Sequence, residues 1–556
     1  MMEPFERIDI QELPLRVPSF RHQVEDFLGS NGLRLGEVDL YMAVLDGEGA
    51  ILAGGGLQRD ILKCLAVSPA ARSLGLSVPL VSRLLSVAAD RGFTAVKVFT
   101  KPENRPLFES LGFKLLASAP KAILMENGRG LEDYCAYLRG HRASGVMVMN
   151  ANPFTLGHRY LVEQAAVLSS EARRAASRNL VVIPVKEDAS RFPYAERLEM
   201  VRKGSGDLAD VVEGSDYQIS AATFPTYFLK DLSDAAETQM RLDIDLFGRH
   251  IAPALGVTRR FVGSEPVDPL TARYNALMKE MLPAYGVEVV EVARLRDTEG
   301  AVSASRVRAA LDAGRFGDAS ALTPASTWPF LLAELAGRAL RMELDTPMKP
   351  GLVGPDGCGA HRDMDYARMR KGIDAIRPFF PRMAMAGSPA ELRQLGIDAE
   401  KAMLAATGGV NTHRGAIFAL GLALYPHPID ETAAALDDGS SIQRDPAVKG
   451  AMQMAREGYR DLFGDWLPYY RSVKADALGL QKTLLRIMSM LDDTCVIHRV
   501  GYARAQEVKA EAKALLEGFN QEELQDMCGR YAAEGISPGG AADMLALTVF
   551  LESILQ

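Results

Sequence analysis

The chain has 556 residues, 48% of them apolar and 24% charged, and a net charge of −8. This length predicts roughly three or four domains. The mild acidity, without a long basic block, argues against a nucleic-acid binder or a membrane-surface protein, and no run of about 18 apolar residues predicts a membrane span. The opening MMEPFERIDI lacks the apolar stretch of a signal peptide. Cys64, Cys135, Cys358, Cys495 and Cys528 are scattered with no C-x-x-C pair. Neither a zinc site nor a disulfide framework is indicated, and a reduced cytoplasmic setting is expected.

Residues 1–140 alternate strand and helix signals. Leu40–Val44 and Ala50–Leu52 predict strands joined by a turn at Asp46-Gly47-Glu48-Gly49. Ile61–Val67 predicts a third strand. Ser68 to Ser77 then leads into a helix that runs to about Asp90. A strand over Ala95–Phe99 and a short helix over Asn104–Leu111 follow. Arg72, Gly75 and Ser77 sit where that helix begins, a place where backbone N–H groups can receive a phosphate.

Residues 141–328 predict a doubly wound unit. Strands are expected at Val146–Met149, Leu180–Val185, Asp210–Val212, Arg260–Val262 and Glu288–Val292. Helices separate them, so the sheet should be parallel, with ligands at the strand C-termini. The first strand runs into Asn150-Ala151-Asn152-Pro153-Phe154, then Thr155-Leu156-Gly157-His158 opens a helix. Strand, tight loop and helix start favour an anion. Gly157 would let a phosphate approach the backbone, and His158 could donate to a phosphate oxygen in the transition state. An ordinary strand-to-helix turn has the same pattern. Lys186 and Lys230 are candidate phosphate-neutralising cations. Ser303, Ser305 and Arg306 open a further helix, suited to capping and to phosphate binding alike.

Residues 329–556 change character. Strand signals almost vanish, and Leu480, Leu484, Ile487 and Leu491 show helical spacing. An all-α domain is expected. Its polar clusters exceed what packing needs: Lys349 in MKPGLV, His361, Asp363 and Asp365 in GAHRDMD, Gly408, Gly409, Asn411 and His413 in TGGVNTHRG, the pair Asp492 and Asp493, and SPGGAAD with Asp543. The glycine pair before a helical run suggests a phosphate-approaching turn. Asp492 and Asp493 are placed at the negative end of a helix, where a hard cation such as Mg²⁺, shared with Asp363 or Asp365, would compensate them.

These strings carry resemblances. Residues 1–140 resemble an acyl-CoA N-acetyltransferase fold, which implies CoA contacts from Arg72 and Gly75; Ser77 departs from that family's small third residue. The string from Gly145 to Ala166 resembles the [H/T]-x-G-H signature of nucleotidyltransferases. With TFPTYFLK, VGSEP and SASRVR it resembles citrate lyase ligase over roughly residues 1–330. Residues 335–556 resemble triphosphoribosyl-dephospho-CoA synthase. Gly354, Met348, Cys495, Val500 and Ala541 depart from that family's pattern. The implied architecture is α/β (acetyltransferase-like, then Rossmann-like nucleotidyltransferase) followed by all-α.

The implied protein is a bifunctional maturation enzyme of citrate lyase, using ATP in both halves together with Mg²⁺. One half would acetylate the prosthetic-group thiol of the lyase acyl carrier protein from acetate, by way of acetyl-AMP. The other would make 2′-(5″-triphosphoribosyl)-3′-dephospho-CoA from ATP and 3′-dephospho-CoA, releasing adenine. The resemblance gives catalytic roles to Thr155, His158, Lys230, Asp363 and Asp365. Asn152, Gly157, Ser303, Ser305, Arg306, Lys349, Gly408, Gly409, Asn411 and His413 would contact ATP or phosphate. Asp363, Asp365, Asp492 and Asp493 would hold the metal. The same chemistry would serve a malonate decarboxylase carrier, and an N-terminal half acting only as a carrier-docking module is the other alternative.

Overall fold

The structure, a computed structural model, describes residues 8–170, 179–186, 190–219, 224, 235–265, 268–436, 451–473 and 476–556. The chain divides into two compact units, Met1–Val302 and Ser303–Gln556.

The first unit holds two sheets. Strands β1 (Ile10–Glu12), β2 (Leu40–Leu45), β3 (Ile51–Gln58), β4 (Ile61–Val67), β5 (Val96–Thr100), β6 (Lys114–Ala119) and β7 (Ala122–Asn127) form a seven-stranded sheet in the order β1-β2-β3-β4-β5-β7-β6. All pairs are antiparallel except β4 and β5, which pair only at Ile61↔Lys97 and Leu62↔Val98 and then part. The alternation of strands and helices expected over residues 1–140 is present. Strand β3 is much longer than Ala50–Leu52 because it runs on through Gly54, Gly55 and Gly56, which carry no strand propensity. The glycines make room instead: a Cβ on Gly54 would lie 2.5 Å from the hydroxyl of buried Tyr41.

Strands β8 (Gly145–Met149), β9 (Leu180–Pro184), β10 (Asp210–Val211), β11 (Arg259–Gly263) and β12 (Glu288–Val292) form an all-parallel sheet in the order β10-β9-β8-β11-β12. The order reverses at β8, so the switch point lies at its C-terminal end, where the T-x-G-H loop begins. The two sheets share a hydrophobic core that runs from Tyr41, Phe99 and Leu116 to Val146, Val181 and Phe247. Buried polar groups also cross between them. Glu126 on β7 accepts from the Tyr217 hydroxyl and from the Leu131 N–H. Lys97 on β5 pairs with Asp60 at 2.8 Å and sits 4.9 Å from the centre of the Tyr217 ring. The Ser118 N–H donates to Asp245 at 2.8 Å, and His250 Nε2 meets the Leu116 carbonyl at 2.9 Å.

Among the described residues of the second unit the regular elements are helices, with one two-residue bridge at Gly354↔Gly357. Leu480, Leu484 and Ile487 are buried on the Ala477–Met490 helix, as their spacing required. The helices Ala304–Asp312 and Phe316–Ala321 precede Trp328 yet belong to this unit, since Phe316–Ala321 packs on Trp328–Asp345 and Gly539–Leu555. No described helix is long and apolar enough to cross a membrane.

Candidate active sites

In the first unit, the loop after β8 is fixed from beneath by Arg197. Its guanidinium is fully buried and donates to the carbonyls of Asn150 (2.8 Å), Val185 (2.7 Å) and Phe192 (3.0 Å) and to Asn150 Oδ1 (2.8 Å). Asn152 Oδ1 accepts from the Phe192 N–H at 3.1 Å. Asn152 therefore braces the loop, in addition to any ligand contact. No sequence signal marks Arg197, because a lone arginine in a helical pattern has the look of a solvated one.

The loop delivers His158 to the third position of the Leu156–Ser170 helix. His158 Nδ1 accepts from the Thr155 N–H at 3.0 Å and lies 2.8 Å from Thr155 Oγ1, while the His158 N–H donates back to that hydroxyl at 3.3 Å. A backbone N–H can only donate, so Nδ1 is unprotonated and Nε2 carries the hydrogen. The ring stacks on Phe154 at 5.6 Å. Burial, and then the nearby Arg294 cation, lower its pKa to about 4. His158 is thus a neutral imidazole with a fixed Nε2–H donor, suited to a phosphate oxygen whose charge grows as a bond breaks.

Gly157 has a different reason from the one expected. A Cβ there would lie 2.7 Å from the Val302 carbonyl oxygen, so the glycine is required by backbone packing. Arg294, beyond β12, pairs with the buried carboxylate of Glu265 and bears electrostatically on His158. Its charge is matched by Glu265, so it sets the electrostatics around His158, and no sequence motif marks it. Lys186 is half exposed and 3.7 Å from Asp216. Lys230 and most of TFPTYFLK lie outside the described residues.

In the seven-stranded sheet, the parting of β4 and β5 opens a cavity of about 430 Å³, lined among others by Arg72, Ser77, Thr100 and Asn104. Gly75 adopts φ +67° and ends the turn before the Ser77–Asp90 helix. Arg72 and Ser77 do face one cleft.

In the second unit, Ser303 caps the Ala304–Asp312 helix by accepting from the Arg306 N–H at 3.3 Å, and its hydroxyl lies 2.9 Å from that of Ser305. The capping expectation holds.

A cavity of about 250 Å³ gathers Glu343, His361, Asn411, His413, Cys495 and Asp543. His413 is buried, its Nδ1 is 2.8 Å from Thr412 Oγ1, and its Nε2 has no hydrogen-bond partner. Burial, then Lys349, lower its pKa to about 4. His361 Nε2 meets Ser537 Oγ at 2.8 Å. Asp543 is buried, and its carboxyl is held well above the usual carboxylate range by desolvation and by the nearby Glu343 and Asp493. The absence of a side chain at Gly415 admits it: a Cβ there would lie 1.9 Å from Asp543 Oδ2. Glu343 was missed from sequence because it lies on the regular Trp328–Asp345 helix, outside the polar clusters.

Several expected roles change here. Lys349 is buried and ion-paired with Glu343, and its Nζ also donates to the Glu343 carbonyl at 2.7 Å, so its charge is already matched. Gly408 (φ +70°) and Gly409 (φ +87°) end the Pro389–Thr407 helix, with the Gly409 N–H on the Leu404 carbonyl at 2.7 Å. They form a left-handed helix stop. Asn411 Oδ1 accepts from the Arg414 N–H at 3.1 Å.

The four metal-ligand candidates do not form one site. Asp492 pairs with Lys509 at 2.7 Å and accepts from Gln506. Asp493 caps the Thr494–Val500 helix and accepts from the Ala541 N–H at 2.8 Å. It stands at a helix N-terminus, not a C-terminus, so the dipole and these N–H groups favour its charge, while burial outweighs them and holds its carboxyl above the usual range. Asp365 caps the Tyr366–Ile376 helix. Among the described residues no group of three or more His, Cys, Asp or Glu side chains is spaced to hold a metal ion. These residues do not fit a shared Mg²⁺ site.

A strand–loop–helix motif on a parallel sheet and a separate polar cavity in a helical unit are thus two candidate sites, and comparison with known proteins makes the chain an enzyme of two halves, a ligase and a transferase. The profile of the citrate lyase ligase C-terminal domain matches residues 144–331, and that of ATP:dephospho-CoA triphosphoribosyl transferase matches residues 329–436 and 425–556. The chain belongs to the citrate lyase ligase family in its first part and to the triphosphoribosyl-dephospho-CoA synthase family in its second. A [citrate [pro-3S]-lyase] ligase of Klebsiella pneumoniae is 42% identical over 325 residues, covering 56% of this chain and 92% of that protein. The Escherichia coli K12 protein of the same name is 40% identical over 323 residues, covering 56% and 89%. A Stutzerimonas stutzeri protein named "Probable 2-(5''-triphosphoribosyl)-3'-dephosphocoenzyme-A synthase" is 36% identical over 264 residues, covering 40% and 91%.

Proposed function

We propose that the chain matures citrate lyase through two ATP-using reactions. In the ligase half, an acetate oxygen attacks the α-phosphorus of ATP. The bond from that phosphorus to the bridging oxygen breaks, and pyrophosphate leaves. The thiol of the acyl carrier prosthetic group then attacks the acetyl carbon, AMP leaves and the thiol proton is released. The His158 Nε2–H donates to the phosphate oxygens as charge builds. The fixed tautomer of His158 is the observation that carries this reading. For Lys230, Ser303, Ser305 and Arg306 the proposal rests on the family motifs alone.

In the synthase half, a ribose hydroxyl of 3′-dephospho-CoA attacks the anomeric carbon of ATP. The carbon–nitrogen bond to adenine breaks, and adenine leaves with a proton. His413, neutral and with an unpartnered Nε2 at the cavity, is the side chain placed to exchange a hydrogen bond with the substrate. Asp543 and Glu343 offer carboxyl groups to the same space.

The test is chromatography of ATP products with dephospho-CoA, acetate and thiol-bearing carrier supplied in turn. Adenine released only with dephospho-CoA, and AMP plus pyrophosphate only with acetate and carrier, is the expected result. Adenine without AMP would reduce the first half to a docking module. AMP formed only with a malonate decarboxylase carrier would change the client.

A further inference from the structure

The parallel sheet carries a second cavity, apart from the cleft in the seven-stranded sheet. It measures about 350 Å³ and is bounded by Met149 and Asn150 at the end of β8, by the helices Ala235–Leu246 and Pro269–Met281, and by Phe247. Met240, Leu246 and Ile251 give it apolar walls. Asn150 also opens the loop that carries His158, so cavity and T-x-G-H loop share one strand end.

Among the described residues one cation lines this cavity. Arg260 projects from β11, is 3% exposed, and lies over the Phe247 ring at 4.2 Å from its centre. Nη2 donates to the Tyr274 hydroxyl at 3.2 Å, and Tyr274 donates to Asp243. Asp243 Oδ1 is taken by the Ile219 N–H at 2.9 Å. Arg260 Nε and Nη1 have no hydrogen-bond partner; Asp243 bears on the guanidinium electrostatically, and the bridge between them runs through the Tyr274 hydroxyl. A buried guanidinium with bare N–H groups is costly unless something supplies acceptors. Its planar fork matches a carboxylate. Beside it Met240, Leu246, Phe247 and Ile251 offer a wall that suits a hydrocarbon.

We propose that Arg260 anchors the carboxylate of the ligase half's acid substrate, a short aliphatic monocarboxylate whose hydrocarbon end lies against Met240 and Phe247. This rests on the ligase reading above. The fork holds both carboxylate oxygens in the bound acid; one then leaves it to form the bond to the α-phosphorus as pyrophosphate departs, while the other keeps its contact. The cavity exceeds the needs of a two-carbon acid, so longer straight-chain acids should also react.

The test is acid-dependent exchange of labelled pyrophosphate into ATP by the full chain, which needs no carrier. Wild type is expected to exchange with acetate, propionate and butyrate. Arg260→Lys keeps the charge but loses the fork, and should raise the KM for acetate at least tenfold while leaving the KM for ATP unchanged. Met240→Trp narrows the cavity from another side and should cost butyrate more than acetate. An unchanged acid KM in folded Arg260→Lys would overturn the proposal. Should that variant fail to fold, an unchanged butyrate-to-acetate ratio in Met240→Trp would do the same. Absence of exchange with any acid in wild type would instead sink the ligase reading, and the proposal with it.

Discussion

Thr155 and His158 fix each other: the Thr155 N–H donates to His158 Nδ1 at 3.0 Å, and the His158 N–H donates to Thr155 Oγ1 at 3.3 Å. The first bond can form only while Nδ1 is bare. Protonating the ring would set two donors against each other.

The pH dependence follows. An unfolded histidine takes its proton near 6.5, whereas folded His158 takes it at about 4. Between those values the unfolded chain binds more protons, so this group's contribution to stability is full above 6.5 and is lost as pH falls toward 4. His413 acts with the same sign. Denaturant midpoints measured from pH 7.5 to 4.5 should fall with pH, and His158→Asn should flatten part of that slope. The wild-type exchange rate should show no break near 6.5 due to His158. His158→Ala should abolish exchange and spare adenine release; loss of both would rule out independent centres.

The glycine pair at Gly408 and Gly409 separates two roles. As a helix stop, Gly408→Ala should cost roughly 1 kcal/mol through its left-handed backbone. The KM for ATP in adenine release should not move. A KM rise without a stability loss would restore the phosphate-turn reading.

Gly415→Ala should behave otherwise. Its new Cβ would collide with Asp543 Oδ2, 1.9 Å from the ideal position. Adenine release should fall at least tenfold while acid-dependent exchange persists, as an assay of both products on one preparation would show.

Asp492→Asn tests the metal assignment. The Lys509 pair is partly exposed, so its loss should cost less than about 1 kcal/mol. The Mg²⁺ concentration that half-saturates adenine release should be unchanged. A large shift would show that Asp492 leaves Lys509 to bind the ion.

Strands β8 and β9 were legible in the sequence because each is a short apolar run flanked by polar loops. Thr155 and His158 were legible because a local motif fixes a local geometry. The helix caps at Asp493 and Gly408 were legible as special positions but not as caps. A carboxylate or a glycine pair near a helix end fits either a ligand or a cap, and only the path of the next helix decides. Arg197, Arg260 and Glu343 were hidden for another reason. Each is a single charged residue on a regular element, and burial depends on what packs over it from distant sequence.

Tyr217 bears on how the α/β unit is divided. The matched ligase profile begins at residue 144, yet the Tyr217 hydroxyl donates to Glu126, and Tyr217 also lines the cavity of Arg260. A fragment starting at 144 would strip away Glu126, Lys97, Leu116 and Ser118 together, baring one side of the shared core and the acceptors and donors that face it. Such a fragment should precipitate or lose acid binding even with every motif residue intact. Tyr217→Phe in the full chain should show a mild form of the same defect, about 1–3 kcal/mol by denaturant titration. The seven-stranded sheet is in this sense scaffold for the ligase chemistry as well as a cleft of its own. A recombination event that exchanged one sheet without the other would break the wall they build in common.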